Sequence, residues 1–319
     1  MARGTAGESR YDVKLTNLDE PLFDESGTTK RALVDYLDGI GDRILPGLAD
    51  RALSVIRVHR GQVAFMQKNV PKYTPDWVET IRVWAGSAGR EVTYALCNDR
   101  RTLIWFANQR AVEFHPGLVL AASPEHMTHL ILDLDPPEGA PFSAAVRATR
   151  AVRRALEEVG LDGAVKTSGA KGLHVFVPIT AMPIDDAAAA TRAIAAAAER
   201  IDPEIATTAF IKSDRAGKVF VDATRVGAGA TVAAAYTPRL RPGVPVSFPV
   251  AWDHLDAVQP ADFTLHTALD LLGDRDPWSE AMPGPQPVPD ALVEAGRAIP
   301  SGRVEAMHEG KRRARAARD

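Results

Sequence analysis

Three aspartates and one glycine-rich turn carry most of the chemistry that this sequence offers. In His129-Leu-Ile-Leu-Asp133-Leu134-Asp135-Pro136, two carboxylates stand two residues apart at the end of an apolar run. On a strand, residues i and i+2 share a face and lie about 6.6 Å apart. Carboxylates so placed repel each other unless a cation joins them, and an all-oxygen donor set suits magnesium or manganese. The plainer alternative is a solvated strand end, but the apolar run before the pair and the proline after it favour the metal. Farther on, Arg215-Ala-Gly217-Lys218-Val-Phe-Val-Asp222 ends a second apolar run in an aspartate. Alone, Asp222 reads as a turn residue. With Asp133 and Asp135 it completes an acidic set for two metal ions and an in-line displacement.

The turn Lys166-Thr-Ser168-Gly169-Ala-Lys171-Gly172-Leu-His174 suits a polyphosphate. Its glycines allow close backbone approach, its amides can form an anion-binding nest, and hydroxyl, ammonium and imidazole are donors. It is not a Walker A sequence, because the GxxxxGK[ST] spacing is absent. In Asn108-Gln109-Arg-Ala-Val-Glu113-Phe-His115-Pro116, His115 reads equally as an ordinary polar residue. Arg225, Arg239 and Arg241 are further basic candidates, each a surface charge when taken alone.

These residues need elements to position them. His129–Leu134 reads as a strand stopped by Pro136-Pro137, and a helix capped by Ser143 runs to Glu158 with Gly160 as its stop. A strand at Leu173–Pro178 follows the turn. An alanine-rich helix runs from about Asp186 to Arg200, capped by Asp185 or Asp186, and Lys218–Val221 is a strand ending in Asp222. This β-α-β-α-β order implies an α/β core. The N-terminal half pairs a helix near Lys30–Gly39 with strands around Ser54–Val58, Val63–Met66, Val92–Cys97 and Leu103–Phe106. Two lobes around a central cleft are the expected architecture.

The 319 residues, 45% hydrophobic and 25% charged, fit a soluble globular protein. One cysteine, Cys97, excludes an intrachain disulfide and fits a reducing compartment. Neither a signal peptide nor a membrane span is evident, so the expected location is cytoplasmic. The net charge of −3 argues against wholesale coating of nucleic acid but leaves room for a local phosphate-binding patch. The expected organisation is a disordered leader over 1–10 and one enzyme domain over 11–280, with lobes at about 11–115 and 116–280. A Pro-rich linker (Met282–Pro289), a short helix and a basic tail (311–318) fill 281–319.

Together these segments resemble the polymerase domain of bacterial ligase D, a branch of the archaeo-eukaryotic primase superfamily that serves non-homologous end joining. The likeness runs from about Leu15 to Trp278. It is carried by Leu15-Thr16-Asn17, Gly27-Thr28-Thr29-Lys30, Asn108-Gln109 with Glu113-Phe-His115, and Leu132-Asp133-Leu134-Asp135-Pro136. It continues in Ser168-Gly-Ala-Lys171-Gly172-Leu-His174, Arg215 to Asp222, and Ala251-Trp252-Asp253. The resemblance implies an α/β (α+β) primase-like core with a mixed β-sheet, and a primer-extending nucleotidyltransferase acting in gap filling or end joining. Under it Asp133, Asp135 and Asp222 hold two Mn²⁺ or Mg²⁺ ions, with Asp222 near the primer 3′ hydroxyl. Ser168, Lys171, Gly172, His174, Arg215, Arg239 and His115 contact the incoming nucleoside triphosphate. Asn17 and Lys30 take a DNA 5′ phosphate, Phe65 stacks on a template base, and Lys68 adds a DNA contact. Implied partners are gapped, nicked or broken DNA, the DNA-end-binding protein Ku, and a separate DNA ligase, with a nucleoid-associated location. Glu20 stands where the family commonly has a phosphate-binding lysine, so 5′-phosphate recognition is expected to be weaker. Phe65-Met66 keeps one ring of an aromatic pair. With no room for ligase or nuclease domains, a stand-alone member is expected. The competing readings are a two-metal nuclease using the same carboxylates on water, and a DNA-end-binding module without turnover.

Overall fold

The computed structural model describes residues 8–23, 26–59, 62–85, 89–227, 229–300 and 309. The basic tail and most of the expected leader lie outside them. Ser9–Arg10 pairs as a short strand with Val13–Lys14, so order begins before residue 11, where the enzyme domain was expected to start. Two compact units are present. The first takes residues 1–122, 231–249 and 259–279, and the second takes 123–230, 250–258 and 280–319. Each unit is therefore discontinuous in sequence, unlike the simple division near residue 115.

In the first unit, Leu53–Arg57 pairs antiparallel with Phe65–Gln67, Arg90–Ala95 and Ala111–Pro116, and Thr80–Ala85 pairs with Arg90–Ala95. The helix Lys30–Gly39 starts at Thr29, whose side chain accepts from the Ala32 amide. The expected strand at Leu103–Phe106 is instead the middle of a helix, Arg100–Asn108. Leu103, Ile104 and Phe106 are at most 1% exposed and Trp105 5%. A helix buried on all sides shows no 3.6-residue periodicity, and a short apolar run is then indistinguishable from a buried strand. The decisive local signal is Asp99, whose carboxylate accepts from the Thr102 amide at 2.7 Å.

The second unit holds a mixed sheet whose strands run in the order Ala164–Thr167, Leu173–Pro183, Ser123–Asp135, Val219–Asp222, Ala206–Thr207. All pairings along this path are antiparallel except the last, which is parallel. The helices Phe142–Glu158 and Ile184–Ile201 pack on the sheet. Neither has a side-chain cap: Pro141 and Pro183 occupy the N-cap positions, with Ser143 inside the first helix and Asp185 and Asp186 in the first turn of the second. Carboxylates there favour the positive end of the helix dipole. The Pro-rich stretch is docked rather than a free linker. The Gln286 amide donates to the Pro178 carbonyl at 3.2 Å, and the Gln286 carbonyl accepts from Thr180 at 2.8 Å. The following helix, Asp290–Arg297, lies so close to Ile184–Ile201 that a Cβ on Gly296 would sit 1.8 Å from the Ala189 carbonyl oxygen.

Candidate active site

The strand register of the second unit builds a polar row. Lys166 lies opposite His174, His174 opposite Asp133, and Asp133 opposite Asp222. Directly opposed residues point to the same face, so four adjacent strands place these four side chains in one line. Asp135, two residues beyond Asp133, joins the same face, while the alternating Leu134, Leu173 and Val221 are at most 1% exposed.

Each carboxylate is held by cations. Arg225 bridges two of them: its guanidinium reaches Asp133 Oδ2 at 3.1 Å and its Nε lies 3.4 Å from Asp222 Oδ2. Asp222 Oδ1 also accepts from the Thr224 amide at 2.7 Å. His174 Nε2 stands 3.4 Å from Asp133 Oδ1. Burial pushes the Asp133 carboxyl up, but His174 and Arg225 outweigh it and hold the group well below the usual carboxylate range. Asp135 lies 3.3 Å from the Lys171 ammonium and 3.4 Å from Arg215. Arg215 is itself fixed: it stacks 3.9 Å over Phe220 and donates to the carbonyls of Ala209 and Phe210.

The donor chemistry fits a hard divalent cation, since Asp133 and Asp222 face each other and offer only oxygen. A guanidinium shared by both carboxylates shows that one positive group satisfies the pair. Among the described residues no group of three His, Cys, Asp or Glu side chains is arranged to hold a metal ion, and Asp135 is paired with Lys171 and Arg215.

The turn before His174 differs from the nest anticipated for its amides. Ser168 Oγ accepts from the amides of Ala170 at 3.2 Å and Gly172 at 3.1 Å, so both donors serve the turn itself. Gly169 takes φ +67°. Gly172 is required by proximity, since a Cβ there would meet the Leu134 carbonyl oxygen at 2.1 Å. That oxygen belongs to the residue between Asp133 and Asp135, so the turn is pressed directly against the acidic strand end.

The first unit carries a separate cluster. Glu113 and His115, two apart on one strand, share a face, and His115 Nε2 lies 2.8 Å from Glu113 Oε2. Arg239 Nε is 3.0 Å from the same oxygen, and the Leu240 amide donates to Glu113 Oε1 at 2.8 Å. Burial raises the Glu113 carboxyl, but His115, Arg239 and the amide bring it down to about 2.

The remaining expected DNA contacts fall in the same unit with different surroundings. Lys30 is buried, and its ammonium donates to the Thr16 carbonyl and to Asn108 Oδ1, the latter at 2.8 Å. Burial, with Arg110 nearby, lowers its pKa to about 8. Asn17 is exposed in a left-handed turn, φ +53°, and Glu20 pairs with Arg110 at 3.5 Å. Phe65 is 39% exposed, with His59 stacked at 5.4 Å, and Lys68 is exposed. Four residues acquire roles here that their motifs did not reveal: Arg225, Glu113, Asn108 and Lys166. The i,i+3 spacing of Asp222 and Arg225 and the i,i+2 spacing of Glu113 and His115 were the available signals.

The model of the LigD primase-polymerase domain family matches residues 29–278. The bifunctional non-homologous end joining protein LigD of Bacillus subtilis (strain 168) is 30% identical over 287 residues, covering 88% of this chain and 46% of that protein. The multifunctional non-homologous end joining protein LigD of Mycolicibacterium smegmatis is 31% identical over 300 residues, covering 92% of this chain and 39% of that protein. The chain thus spans less than half the length of these relatives. Among solved structures, the polymerase domain from Mycobacterium tuberculosis ligase D in complex with DNA superposes with a TM-score of 0.77 at 32% identity, covering 85% of this chain and 99% of that one. The mixed α/β fold is that of this archaeo-eukaryotic primase-like domain.

Proposed function

This chain belongs to the LigD primase-polymerase family, and from that premise we propose that it is a metal-dependent nucleotidyltransferase extending the 3′ end of a DNA primer with nucleoside triphosphates. The observation that carries the reading is the row of His174, Asp133 and Asp222 across adjacent strands, with Asp135 on the same face and Lys171 beside it. Gapped or broken DNA is the proposed substrate, in gap filling or end joining, and Mn²⁺ or Mg²⁺ the proposed ion. Ku and a separate ligase are the proposed partners, and the nucleoid the proposed location. Among the described residues no helix is long and apolar enough to cross a membrane.

When bound, two divalent ions supply activation of the attacking 3′ oxygen and charge stabilisation of the leaving pyrophosphate. Asp133, Asp135 and Asp222 are the groups to hold them. Asp133 stays ionised because His174 and Arg225 stabilise its charge. Asp222 is kept in orientation by the Thr224 amide, which donates to its Oδ1. Ser168 and Gly172 shape the turn that presents Lys171 and His174 to a triphosphate, and Lys171, 41% exposed, is free to swing from Asp135 to a phosphate oxygen. Arg215 neutralises Asp135 from a fixed position. His115 and Arg239, gathered by Glu113, are the nucleotide contacts proposed in the first unit, and Phe65, Lys68, Asn17 and Lys30 the DNA-side residues. Because Lys30 is enclosed by Thr16 and Asn108, its proposed part is to shape the Leu15–Asn17 turn rather than to meet a phosphate directly.

Purified protein incubated with gapped, primed DNA, manganese and labelled nucleotides tests the proposal. The expected result is lengthening of the 3′ end that vanishes in Asp133→Ala and Asp222→Ala. Shortened product would instead assign the carboxylates to a nuclease, and binding without turnover to an end-binding module.

A further inference from the structure

We propose that the second unit carries a binding site for a small monocarboxylate with an apolar body, in a cavity whose walls include the chain neighbours of Asp222. The binding stands apart from the polymerase reading above; its effect on catalysis rests on that reading.

The cavity measures about 350 Å³, within the range of small-ligand sites. One wall is the helix Ile184–Ile201, which presents Ala188, Arg192, Ala195 and Ala196. Positions i, i+4, i+7 and i+8 form one helical face, and its three alanines leave room that larger side chains would fill. Phe210 and Phe220 add two rings, so most of the lining is apolar. Water in such a space finds few partners, whereas a hydrocarbon body gains by leaving solvent.

Arg192 supplies the charge. Among the described residues its one hydrogen bond runs from Nη2 to the Gly296 carbonyl, at 3.2 Å, and no carboxylate stands within ion-pair distance of it. Its Nε is closed off from solvent and meets no acceptor. By contrast Arg147, Arg150, Arg215, Arg225 and Arg297 of the same unit each meet an aspartate. A guanidinium has five N–H donors and stays charged. Unmatched in a mostly apolar wall it is costly, and one carboxylate offsets that cost with a fork-shaped, charge-assisted pair.

Two parts of the lining lead to the acidic row. Val221 and Ala223 flank Asp222 in the chain, and Thr224, whose amide donates to Asp222 Oδ1 at 2.7 Å, lines the cavity with them. Phe220 carries the Arg215 guanidinium 3.9 Å from its ring centre, and the Phe210 carbonyl accepts from Arg215 at 3.1 Å. Arg215 in turn pairs with Asp135. A ligand seated in the cavity touches the supports of two of the three aspartates, so its occupancy and events at those aspartates are coupled.

A heteronuclear NMR titration of the full wild-type chain tests the site, with butyrate, hexanoate, octanoate and hydrocinnamate as probes and octanamide as the neutral control. The expected result is saturable binding of at least one acid, with shifted amides in 188–196 and 220–226, and about tenfold weaker binding of octanamide than of octanoate. No saturable binding, equal binding of octanamide, or shifts centred elsewhere overturns the proposal, and none of these arms needs a variant to fold. Arg192→Met should weaken the acid about tenfold, and Ala196→Phe should abolish binding by filling the cavity. Unchanged affinity in both variants also overturns it. Pro300 lines the cavity, and Glu305 follows it outside the described residues. Binding that appears only in Glu305→Gln would assign Arg192 to this chain's own continuation and overturn the proposal too. In primer extension, saturating acid should change single-turnover incorporation about fivefold or more in wild type but not in Arg192→Met, and equal effects on both overturn the coupling. If wild-type protein extends no primer, the polymerase reading fails while the titration still decides the site.

Discussion

The two units each contain one carboxylate flanked by a histidine and an arginine, and the surroundings of the two differ. Glu113, with a side chain 5% exposed, is closed off by His115, Arg239 and the Leu240 amide, and among the described residues it belongs to no group of three His, Cys, Asp or Glu side chains that could hold a metal ion. Asp133, 17% exposed, has His174 and Arg225, but Asp222 faces it and Asp135 lies two residues on. The same pair of neighbours therefore makes a finished ion cluster in one place and part of an acidic surface in the other. Glu113 is suited to gather two basic groups for a ligand. Asp133 is suited to share a cation.

The sharpest way to break this comparison is to remove each acid. Asp133→Ala or Asp222→Ala should reduce primer extension by roughly 10³-fold or more, measured as single-turnover incorporation, because charge stabilisation at the reacting centre is lost. Equal loss in Glu113→Gln would show that the two clusters are not different in kind. Gly172→Ala should fall next. Its Cβ must displace the Leu134 carbonyl beside both aspartates, and misplacement by about 1 Å costs on the order of 10²-fold in turnover. A well-folded Gly172→Ala variant with full activity would detach the turn from the acidic strand end. Glu113→Gln should raise the nucleotide KM by about tenfold with kcat largely kept, as expected when a supporting acid loses its charge. The smallest effect is on acid stability. Glu113 falls from 4.5 in the unfolded chain to about 2 when folded, so its contribution of about 3 kcal/mol is complete above pH 4.5 and is lost as pH falls towards 2. Acid unfolding followed by circular dichroism should show Glu113→Gln with a flatter profile across that window.

Much of the second unit was legible because its signals are local. Apolar runs that end in Asp133 and Asp222 mark strands, and a strand's two-residue period puts Asp135 beside Asp133. What no run of sequence states is which strands are neighbours. The register bringing Lys166, His174, Asp133 and Asp222 into one line is a tertiary fact, and so Lys166 passed as part of a turn motif. Arg225 and Glu113 were hidden for the same reason: a charged residue shows its sign in sequence but not its partner. Leu103–Phe106 failed differently, since uniform burial removed the periodicity that separates helix from strand. The amides of the Ser168–Gly172 turn were legible as donors, while their capture by Ser168 Oγ depended on the fold of the turn itself.

The division of the chain between the units also sets an order of events during synthesis. The first unit is interrupted after residue 122 and resumes only at residue 231. Its buried Phe114 amide waits for the Thr237 hydroxyl, and the Tyr36 hydroxyl for the Tyr236 carbonyl, across 123 and 200 residues of sequence. At a synthesis rate of about 5–20 residues per second, those partners emerge some seconds after the strands they complete. The five strands of the first unit's sheet all lie within 53–116 and are made before those of the second, yet these two contacts close only after the second unit's strands have been made. A pulse-labelled nascent chain should accordingly gain protease protection around Ala111–Pro116 in a second step, once Tyr236 and Thr237 have emerged.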